Sequence, residues 1–571
     1  MNEIKHDLIV LGTGIAGLRA AVEASIASNG SIDIGIISKL QLMRSHSVSA
    51  EGGTAAVLRS EEGDSAEIHA WDTVKGSDFL GDQDVAFRFV ETMPSEIFQL
   101  DRWGLPWSRR SDGRIDQRPF GGHSFDRACF AADKTGFFEM QTLYDTLLKF
   151  GNFKRYDEFF VTSIIIQNGR FAGLTAIRMA TGEMFIIRCK TLIIATGGQG
   201  RLFGFTTYAH TVTGDGLAMA YRAGLPIKDT EFIQFHPTGL IPSGILMTEA
   251  CRGEGGYLLN NKGERFMDKY APTKRELAPR DIVSRSSMTE IESGRGFDNP
   301  DGLHYVHLDL RHLGENKINE RLGFIRELSI KFAGIDPVLE PIPVRPVAHY
   351  SMGGIHTDIN GATAVPGIMA AGEAACVSLH GANRLGANST AECLVWGKIT
   401  GAEAAKFVSK EKTLADIDQK RFKAEEDRIF NFLMQKNGNE TVFRIRQDLK
   451  RTMDMNMGVF RTGDGMSKAL NDIKELKERF KNIKINDKSR TFNTELITVL
   501  ESEFLLDIAE VAVLGALQRK ESRGGHARRD FQTRDDANFL KHTMATYSSE
   551  GPKLSYIPVN ITAWQPVERK Y

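Results

Sequence analysis

The sequence predicts an α/β protein in which a Rossmann-like nucleotide-binding domain carries an inserted α+β domain, followed by a helical domain and a small C-terminal domain. Three observations support this prediction. A glycine fingerprint, Gly12-x-Gly14-x-x-Gly17, follows an apolar strand near the start of the chain. A second apolar strand at 191–195 also ends in glycines, and residues 365–373 return to that pattern after a long mixed region. Beyond residue 415 the apolar spacing becomes helical.

The first unit reads as strand, turn and helix. Residues 7–11 are apolar, and the alanine-rich residues 18–27 favour a helix. Gly12 permits the tight turn, Gly14 lets backbone N–H groups approach a pyrophosphate, and Gly17 lets the helix pack on the strand. This order of elements indicates a dinucleotide site.

The second strand, residues 32–37, ends in Ser38-Lys39 and not in the acidic residue that usually holds an adenosine ribose. That ending makes an NAD site less favoured. His46, within Ser45-His46-Ser47, lies just beyond this strand, where it can reach a flavin ring. We therefore expect a flavin tethered covalently to His46.

Further along, residues 159–166, 170–179 and 184–189 have the pattern of successive short strands. Residues from about 232 to 348 are mixed, with several glycine turns, and read as an inserted domain. We predict a nucleotide-binding domain at 1–231 and 350–412, an inserted domain at 232–349, a helical domain at 413–522 and a C-terminal domain at 523–571.

Composition excludes several classes of function. The 571 residues contain 72 Lys plus Arg and 73 Asp plus Glu, so the net charge is close to zero. The chain therefore has no strong electrostatic field that would attract nucleic acid or an anionic membrane. The five cysteines form no CxxC pair and no ferredoxin-type run, so we expect neither a zinc site nor an iron–sulfur cluster held by this chain. We predict no metal site. No apolar run is long enough to span a membrane, and the N-terminus lacks the apolar segment of a signal peptide, which favours the reducing cytoplasm.

A basic cluster at 519–529 is followed at once by Asp530, Asp535 and Asp536. We interpret it as a solvated or subunit-facing surface and not as a nucleic-acid site.

The inserted region concentrates cationic and hydrogen-bonding side chains beside small residues. The stretches concerned are 236–238, 248–256, 280–281, 349–350 and 383–386, and they contain His236, Thr248, Arg280, His349 and Arg384. Taken singly, each of these residues could have a purely structural role, since an isolated histidine is more often a residue of the protein core than a ligand of a bound molecule. Together they could bind a small dicarboxylate, because arginine offers a bidentate fork and histidine and threonine add single directed hydrogen bonds.

Across essentially its whole length the chain resembles the flavoprotein subunits of the succinate dehydrogenase and fumarate reductase family (complex II). The motifs that carry the resemblance are residues 44–53, 118–122, 210–216, 234–239 and 380–389. The resemblance implies a Rossmann-like FAD-binding domain, with the inserted domain as a cap over the substrate. It further implies an iron–sulfur subunit and quinone-binding membrane anchors as partners, and a peripheral location on the cytoplasmic face of the plasma membrane.

The resemblance also assigns the site. His46 would hold FAD covalently through the flavin 8α-methyl carbon. The remaining cofactor-binding residues would be Gly12, Thr13, Gly14, Ile15, Ala16, Gly17, Ser38, Lys39, Ser45, Ser47, Glu51, Gly52, Gly53, Asp215, Glu373, Ser389 and Thr390. Substrate would contact His236, Thr248, His349, Arg384 and Phe120. Arg280 would exchange a proton with fumarate or succinate, fed by a relay through Glu249 and Arg252.

Three alternatives remain at this point. The enzyme could run as a succinate dehydrogenase, it could be an L-aspartate oxidase, or it could be a flavinylated scaffold without activity. His46 in its Arg-Ser-His-Ser frame disfavours the oxidase, which normally lacks a covalent flavin, and the cationic cluster disfavours the scaffold. Glu51 resembles the residue found in quinol:fumarate reductases, whereas succinate dehydrogenases typically have Gln. A carboxylate there would lower the flavin potential and favour fumarate reduction.

Overall fold

The computed structural model describes residues 2–570. Its strands are β1 (Asn2–Lys5), β2 (Leu8–Leu11), β3 (Ile34–Ser38), β4 (Thr54–Ala55), β5 (Gln117–Arg118), β6 (Ala128–Cys129), β7 (Phe153–Asp157), β8 (Phe159–Gln167), β9 (Arg170–Arg178), β10 (Glu183–Arg188), β11 (Thr191–Ile194), β12 (Ile227–Lys228), β13 (Ile233–Leu240), β14 (Tyr257–Leu259), β15 (Val306–Asp309), β16 (Ile342–Ser351), β17 (Gly354–His356), β18 (Ile368–Ala370), β19 (Ala375–Cys376), β20 (Phe460–Arg461), β21 (Ala527–Arg528), β22 (Lys541–Thr546) and β23 (Lys553–Pro558).

The α-helices are α1 (Ile15–Ala27), α2 (Ala66–Gly76), α3 (Gln83–Arg102), α4 (Thr135–Leu148), α5 (Asp215–Arg222), α6 (Ala250–Gly253), α7 (Met267–Tyr270), α8 (Arg280–Glu290), α9 (Glu315–Ala333), α10 (Asn388–Lys410), α11 (Gln419–Glu426), α12 (Val442–Asn456), α13 (Gly463–Lys481), α14 (Thr494–Gln518) and α15 (Asp536–Phe539). None of the helices in the described part of the chain combines the length and apolarity needed to cross a membrane.

A parallel sheet of order β18-β11-β2-β3-β7 forms the centre of the nucleotide-binding domain. Leu8–Leu11 pairs with Ile34–Ile37 on one side and with Thr191–Ile194 on the other. The predicted strands at 7–11, 32–37 and 191–195 are therefore confirmed, and β18 places the 365–373 segment in the same sheet. Helices α1 and α10 pack against each other beside this sheet, so nearly every residue from Ile15 to Ser25 is buried. The helix begins at Ile15, three residues before the predicted start, because the fingerprint turn leads directly into it.

The predicted strands near 159–189 are also confirmed. β8, β9 and β10 form an antiparallel meander, and β1 adds to its edge in parallel with β10. The inserted region forms its own antiparallel sheet of order β13-β16-β15-β14, which packs with α8 and α9 around a separate apolar core that includes Leu258, Leu308, Ile325 and Ile342. We call the inserted region the cap.

Residues beyond 415 are helical, as predicted, and α14 lies at their centre with seventeen buried positions. The C-terminal strands β22 and β23 complete a sheet with β12, β17 and β19. The C-terminal strands therefore join a sheet whose other strands lie just before and just after the cap in the sequence.

The interpretation of the basic cluster at 519–529 as an exposed surface is wrong for three of its arginines. Arg519, Arg523 and Arg528 are at most 4% exposed. Arg519 pairs with Glu231 at 3.1 Å, and Arg523 pairs with Glu521 at 2.8 Å. Since Glu231 is almost three hundred residues away in sequence, local charge order could not reveal this burial.

Candidate active site

Two adjoining cavities run from the glycine fingerprint to the cap. The larger, about 650 Å³, lies between the nucleotide-binding domain and the cap, and the smaller, about 150 Å³, lies over the carboxyl ends of β2 and β3. Both are lined by Ile15, His46, Ser47, Glu373 and Cys393, so they meet at His46. Two adjoining cavities that begin at a glycine fingerprint suit a dinucleotide.

The three fingerprint glycines lie at close contacts where a side chain would not fit. Gly12 has φ +110°, and a Cβ there would lie 2.2 Å from the carbonyl oxygen of Ala195. A Cβ on Gly14 would lie 2.9 Å from Ser47 Oγ, so side-chain-free backbone lines the small cavity at the start of α1. Gly17 lies outside both cavities, where a Cβ would meet the Gly12 carbonyl oxygen at 2.1 Å. Its role is therefore helix packing, and the amino end of α1 is left open to an anion.

Ser38, Lys39 and Asp215 line the small cavity, as do Thr13, Ala16 and Ser45. Lys39 Nζ lies 2.6 Å from Asp215 Oδ2 and 2.8 Å from Glu501 Oε1. Burial raises the pKa of Asp215 even though Lys39 opposes the shift. Glu501, on α14, was not predicted, because no local signal connects it with Lys39.

His46 begins a short 3₁₀ turn, His46–Ser49, and its ring stacks on Tyr208 with centroids 5.2 Å apart. The Ala209 N–H donates to Nδ1 at 3.4 Å. Burial, with help from Arg201, lowers the pKa of His46 to about 4. The imidazole is therefore neutral at physiological pH, and Nε2 is the nitrogen available for a further bond.

Glu51, Gly52 and Gly53 lie in the wall of the large cavity, next to Phe120. A Cβ on Gly52 would lie 2.7 Å from the Phe120 ring, which explains the small residue. Burial, reinforced by Asp133, raises the pKa of Glu51 well above its usual range, and its Oε2 has no hydrogen-bond partner among the described residues. Burial therefore favours the neutral form of Glu51, and in that form the side chain would contribute little to the flavin potential.

Ser389 and Thr390, in the first turn of α10, also line the large cavity. Glu373 accepts a hydrogen bond from the Ser351 N–H at 2.8 Å and another from the Tyr208 hydroxyl. Burial raises the pKa of Glu373 to about 7. These groups surround the same space as His46.

The residues predicted to bind substrate, His236, Thr248, His349, Arg384 and Phe120, all line the large cavity. The His236 and His349 rings lie 5.0 Å apart. Burial and the charge of Arg280 lower the pKa of both histidines well below the usual range. The Thr238 N–H donates to His236 Nδ1 at 3.3 Å, so the proton is on Nε2, which has no partner among the described residues. Nε2 can therefore donate a hydrogen bond to a bound substrate.

Arg384 stacks on Tyr350, 4.3 Å from the ring centroid, and its Nε is buried without a partner within residues 2–570. Burial and Arg280 lower the pKa of Arg384 to about 10. A buried cation and a neutral histidine donor, both unsatisfied, suit the carboxylates of a small substrate.

Arg280, the first residue of α8, donates through Nε to Glu249 Oε2 at 2.6 Å and through Nη1 to Gln234 Oε1 at 3.1 Å. Arg252 Nη2 lies 3.6 Å from the same Glu249 oxygen. Arg280 and Glu249 line the cavity but Arg252 does not. The three residues form a buried chain that leads away from the site.

The sequence analysis missed several contributors. Gln234 lies two residues before His236 on β13, a spacing that places both on one face of the strand and could have indicated it. Tyr208 and Tyr350 carry no comparable signal, because their roles depend on stacking against His46 and Arg384.

Two known protein families match most of the chain. Residues 7–390 match the FAD binding domain family, and residues 446–571 match the fumarate reductase flavoprotein C-terminal family. The chain is 48% identical to a fumarate reductase flavoprotein subunit of Mycobacterium tuberculosis, covering 99% of each chain. It is 42% identical to a succinate dehydrogenase flavoprotein subunit of Rickettsia conorii, covering 99% of this chain and 98% of the other.

Its structure is similar to the FrdA chain of Escherichia coli quinol fumarate reductase, with a TM-score of 0.95 and 44% identity over all of this chain and 99% of that chain. The fold predicted from sequence, a Rossmann-like FAD-binding domain with an inserted cap, a helical region and a C-terminal region, is confirmed. The chain belongs to the oxidoreductase family of fumarate reductase and succinate dehydrogenase flavoprotein subunits.

Proposed function

We propose that this chain is the flavoprotein subunit of a membrane-bound quinol:fumarate reductase, interconverting fumarate and succinate with FAD attached covalently to His46. The observation that carries the proposal is the buried ion pair of Arg280 and Glu249 at the wall of the cavity that also holds His236, His349 and Arg384. The wall of this cavity therefore combines a proton donor with the cations and hydrogen-bond donors that two carboxylates need.

In this proposal Arg384, His236 and His349 orient the dicarboxylate, Thr248 adds a hydrogen bond, and Phe120 covers the apolar carbon chain. The cap, which we take as residues 232–349, supplies His236, Thr248, Arg280 and His349. Since Arg384 and Phe120 come from outside the cap, substrate would be held between the two bodies, where water is excluded.

When bound, FAD supplies the hydride that is added to one alkene carbon of fumarate. Arg280 supplies the proton for the other carbon, and Glu249 and Arg252 return a proton to Arg280. Guanidinium is ordinarily a poor acid, with a pKa above ~12. Arg252 and Arg384 also bring positive charge close to Arg280, which stabilises the negative charge that develops on a carbanion-like carbon as the proton is transferred.

Covalent attachment at His46 is supported by three features of the chain. The ring lies where the two cavities meet, its low pKa keeps it neutral, and Nδ1 already accepts a hydrogen bond from a backbone N–H. Nε2 is therefore the nitrogen we expect to carry the flavin.

An iron–sulfur subunit and a quinone-binding membrane anchor complete the proposal, placing the chain on the cytoplasmic face of the plasma membrane. No group of three or more potential metal-ligating side chains occurs within residues 2–570, so electrons leaving the flavin one at a time need clusters on another chain. The similar Escherichia coli chain belongs to a quinol fumarate reductase.

Fumarate reduction is the physiological direction in this proposal. Support comes from the greater identity to fumarate reductase subunits, 48% for the Mycobacterium tuberculosis relative against 42% for the Rickettsia conorii succinate dehydrogenase. Glu51 adds little electrostatic support, because burial favours the neutral form of its carboxyl group. The test is to isolate the complex and measure fumarate reduction and succinate oxidation with a low-potential and a high-potential quinone. Faster succinate oxidation with both quinones would assign the opposite direction.

A further inference from the structure

The C-terminal segment binds along the nucleotide-binding domain. Gln83, the first residue of α3, accepts hydrogen bonds from the N–H groups of Thr562, Ala563 and Trp564 at 2.7–3.0 Å. Its Nε2 donates to the Trp564 carbonyl at 2.7 Å, and the Trp564 ring packs against Phe87. The segment after β23 is therefore fixed in place before it reaches residue 569.

Arg569, near the end of this segment, contacts two acidic residues from different parts of the fold. Its Nη2 lies 2.5 Å from Asp281 Oδ2 and 3.1 Å from Asp78 Oδ2. The Arg569 side chain is 7% exposed, and the Asp281 side chain is 1% exposed. Asp78 follows α2 in the nucleotide-binding domain, whereas Asp281 is the second residue of α8 in the cap. Arg569 thus joins the two bodies.

Asp281 is the residue immediately after Arg280, the proposed proton donor. It also pairs with Arg285 on the same helix at 3.0 Å, and Arg285 Nη1 donates to the Gly524 carbonyl at 2.8 Å, one helical turn further along α8. Asp78 is held independently of the cap, since it pairs with Arg534 at 2.9 Å and accepts the Gly524 N–H at 2.8 Å. The bridge through Arg569 therefore connects the first turn of α8 to a fixed point.

We propose that Arg569 is a positioning residue for the proton donor: by bridging Asp281 to Asp78 it fixes the first turn of α8, and with it Arg280, against the nucleotide-binding domain. The inference rests on the proposed function. Arg569 does not line the cavity and acts only through Asp281 and the helix backbone.

The reason this bridge affects catalysis is geometric. Arg280 must keep Nε 2.6 Å from Glu249 and still reach the substrate carbon. A displacement of about 1 Å caused by a remote change can slow a reaction by as much as ~10²-fold. Removing the guanidinium also leaves two buried carboxylates without their shared cation, which favours separation of α8 from Asp78.

The test uses the intact complex carrying Arg569→Ala, Arg569→Lys or the control Lys570→Ala, whose side chain is 82% exposed. For Arg569→Ala we expect kcat for fumarate reduction to fall by about 10-fold to 10²-fold with little change in KM. The solvent deuterium isotope effect on kcat should rise, because proton transfer becomes more limiting. Arg569→Lys should restore part of the rate, and Lys570→Ala should match the wild type.

Hydrogen exchange supplies a readout that does not depend on activity. In Arg569→Ala the peptide covering Arg280–Glu290 should exchange faster, while α14 should be unchanged. Wild-type exchange at α8, or an unchanged kcat and isotope effect, would overturn the inference. A parallel loss of flavin and of fumarate binding without rescue by lysine would also overturn it, by showing a purely structural role. A wild-type complex that exchanges as expected but does not reduce fumarate would instead refute the proposed function.

Discussion

Arg280 Nε lies 2.6 Å from Glu249 Oε2, and both side chains are buried in the cap beside the large cavity. Burial alone would raise the pKa of Glu249, but Arg280 and Arg252 outweigh it and hold the pKa below the usual value. Glu249 is therefore an anion at neutral pH and can accept a proton for transfer to Arg280.

Replacing Glu249 with Gln should slow turnover by about 10²-fold to 10³-fold, because the amide cannot relay a proton. Dicarboxylate affinity should change much less, since Glu249 is not one of the proposed carboxylate donors. Steady-state rates in both directions and the perturbation of the flavin spectrum by malonate measure the two effects. Glu315→Gln, at a side chain that is 58% exposed, is the matched control. Turnover near the wild-type rate in Glu249→Gln would remove the relay from the mechanism.

His46→Ser should leave FAD bound but remove the covalent bond. The many contacts along both cavities retain the cofactor, while the flavin potential falls and succinate oxidation suffers more than fumarate reduction. Fluorescence of the denatured polypeptide in a gel tests the tether, with His304→Ser at the cap surface as the control. A fluorescent band that persists in His46→Ser would assign the tether to another residue.

Glu51→Gln should change the flavin potential little, because burial and Asp133 raise the pKa of the carboxyl group and so favour its neutral form. Potentiometric titration of the bound flavin measures this directly. A rise of more than about 30 mV, equivalent to ~1.4 kcal/mol for a two-electron couple, would show that Glu51 is ionised in the holoenzyme.

Affinity for fumarate should fall as the pH rises through about 10, where Arg384 loses its charge. The sign follows from the buried guanidinium: it is cationic below this pKa and neutral above it, and only the cation pairs with a carboxylate. This loss should appear as a falling alkaline limb in the pH profile of kcat/KM, which reports the free enzyme. On that limb kcat/KM should decrease by up to ~10-fold per pH unit. Arg384→Lys should move the limb to lower pH because lysine has a lower ordinary pKa. A limb at the same pH in both proteins would assign it to another group, and Arg384→Ala should bind fumarate weakly at every pH.

The sequence was sufficient to predict β2, β3, β11 and β18 of the parallel sheet, because these strands are apolar runs and all of them except β3 are followed by glycine. The sequence did not predict β7 at the edge of that sheet, because three of its five residues are charged. It did not predict α2, α3 or α4 between residues 66 and 148. Pro94 lies inside α3, where a proline ordinarily ends a helix, so the pattern there conflicts with the observed element.

For the candidate site too, some features could be predicted from the sequence and others could not. His236, Arg280 and Arg384 could be predicted because their residue types and neighbours suit carboxylates. Their protonation states could not, since these depend on burial and on charges brought together by the fold, as Glu51 and Asp133 illustrate. Residues that act by stacking, such as Tyr208, and pairs such as Lys39 with Glu501 depend wholly on tertiary structure.

The central claim is that Arg280 is the proton donor in a fumarate site, and one comparison tests it most directly. The rate of fumarate-dependent oxidation of a reduced viologen dye is measured for the wild-type complex and for Arg280→Ala at equal flavin content, with fumarate binding followed by the flavin spectrum. The account predicts fumarate-dependent turnover by the wild type, and a loss of about 10²-fold to 10⁴-fold or more in Arg280→Ala, with binding retained at reduced affinity. A wild-type complex that does not oxidise the dye with fumarate, or an Arg280→Ala variant with near-normal turnover, would contradict it.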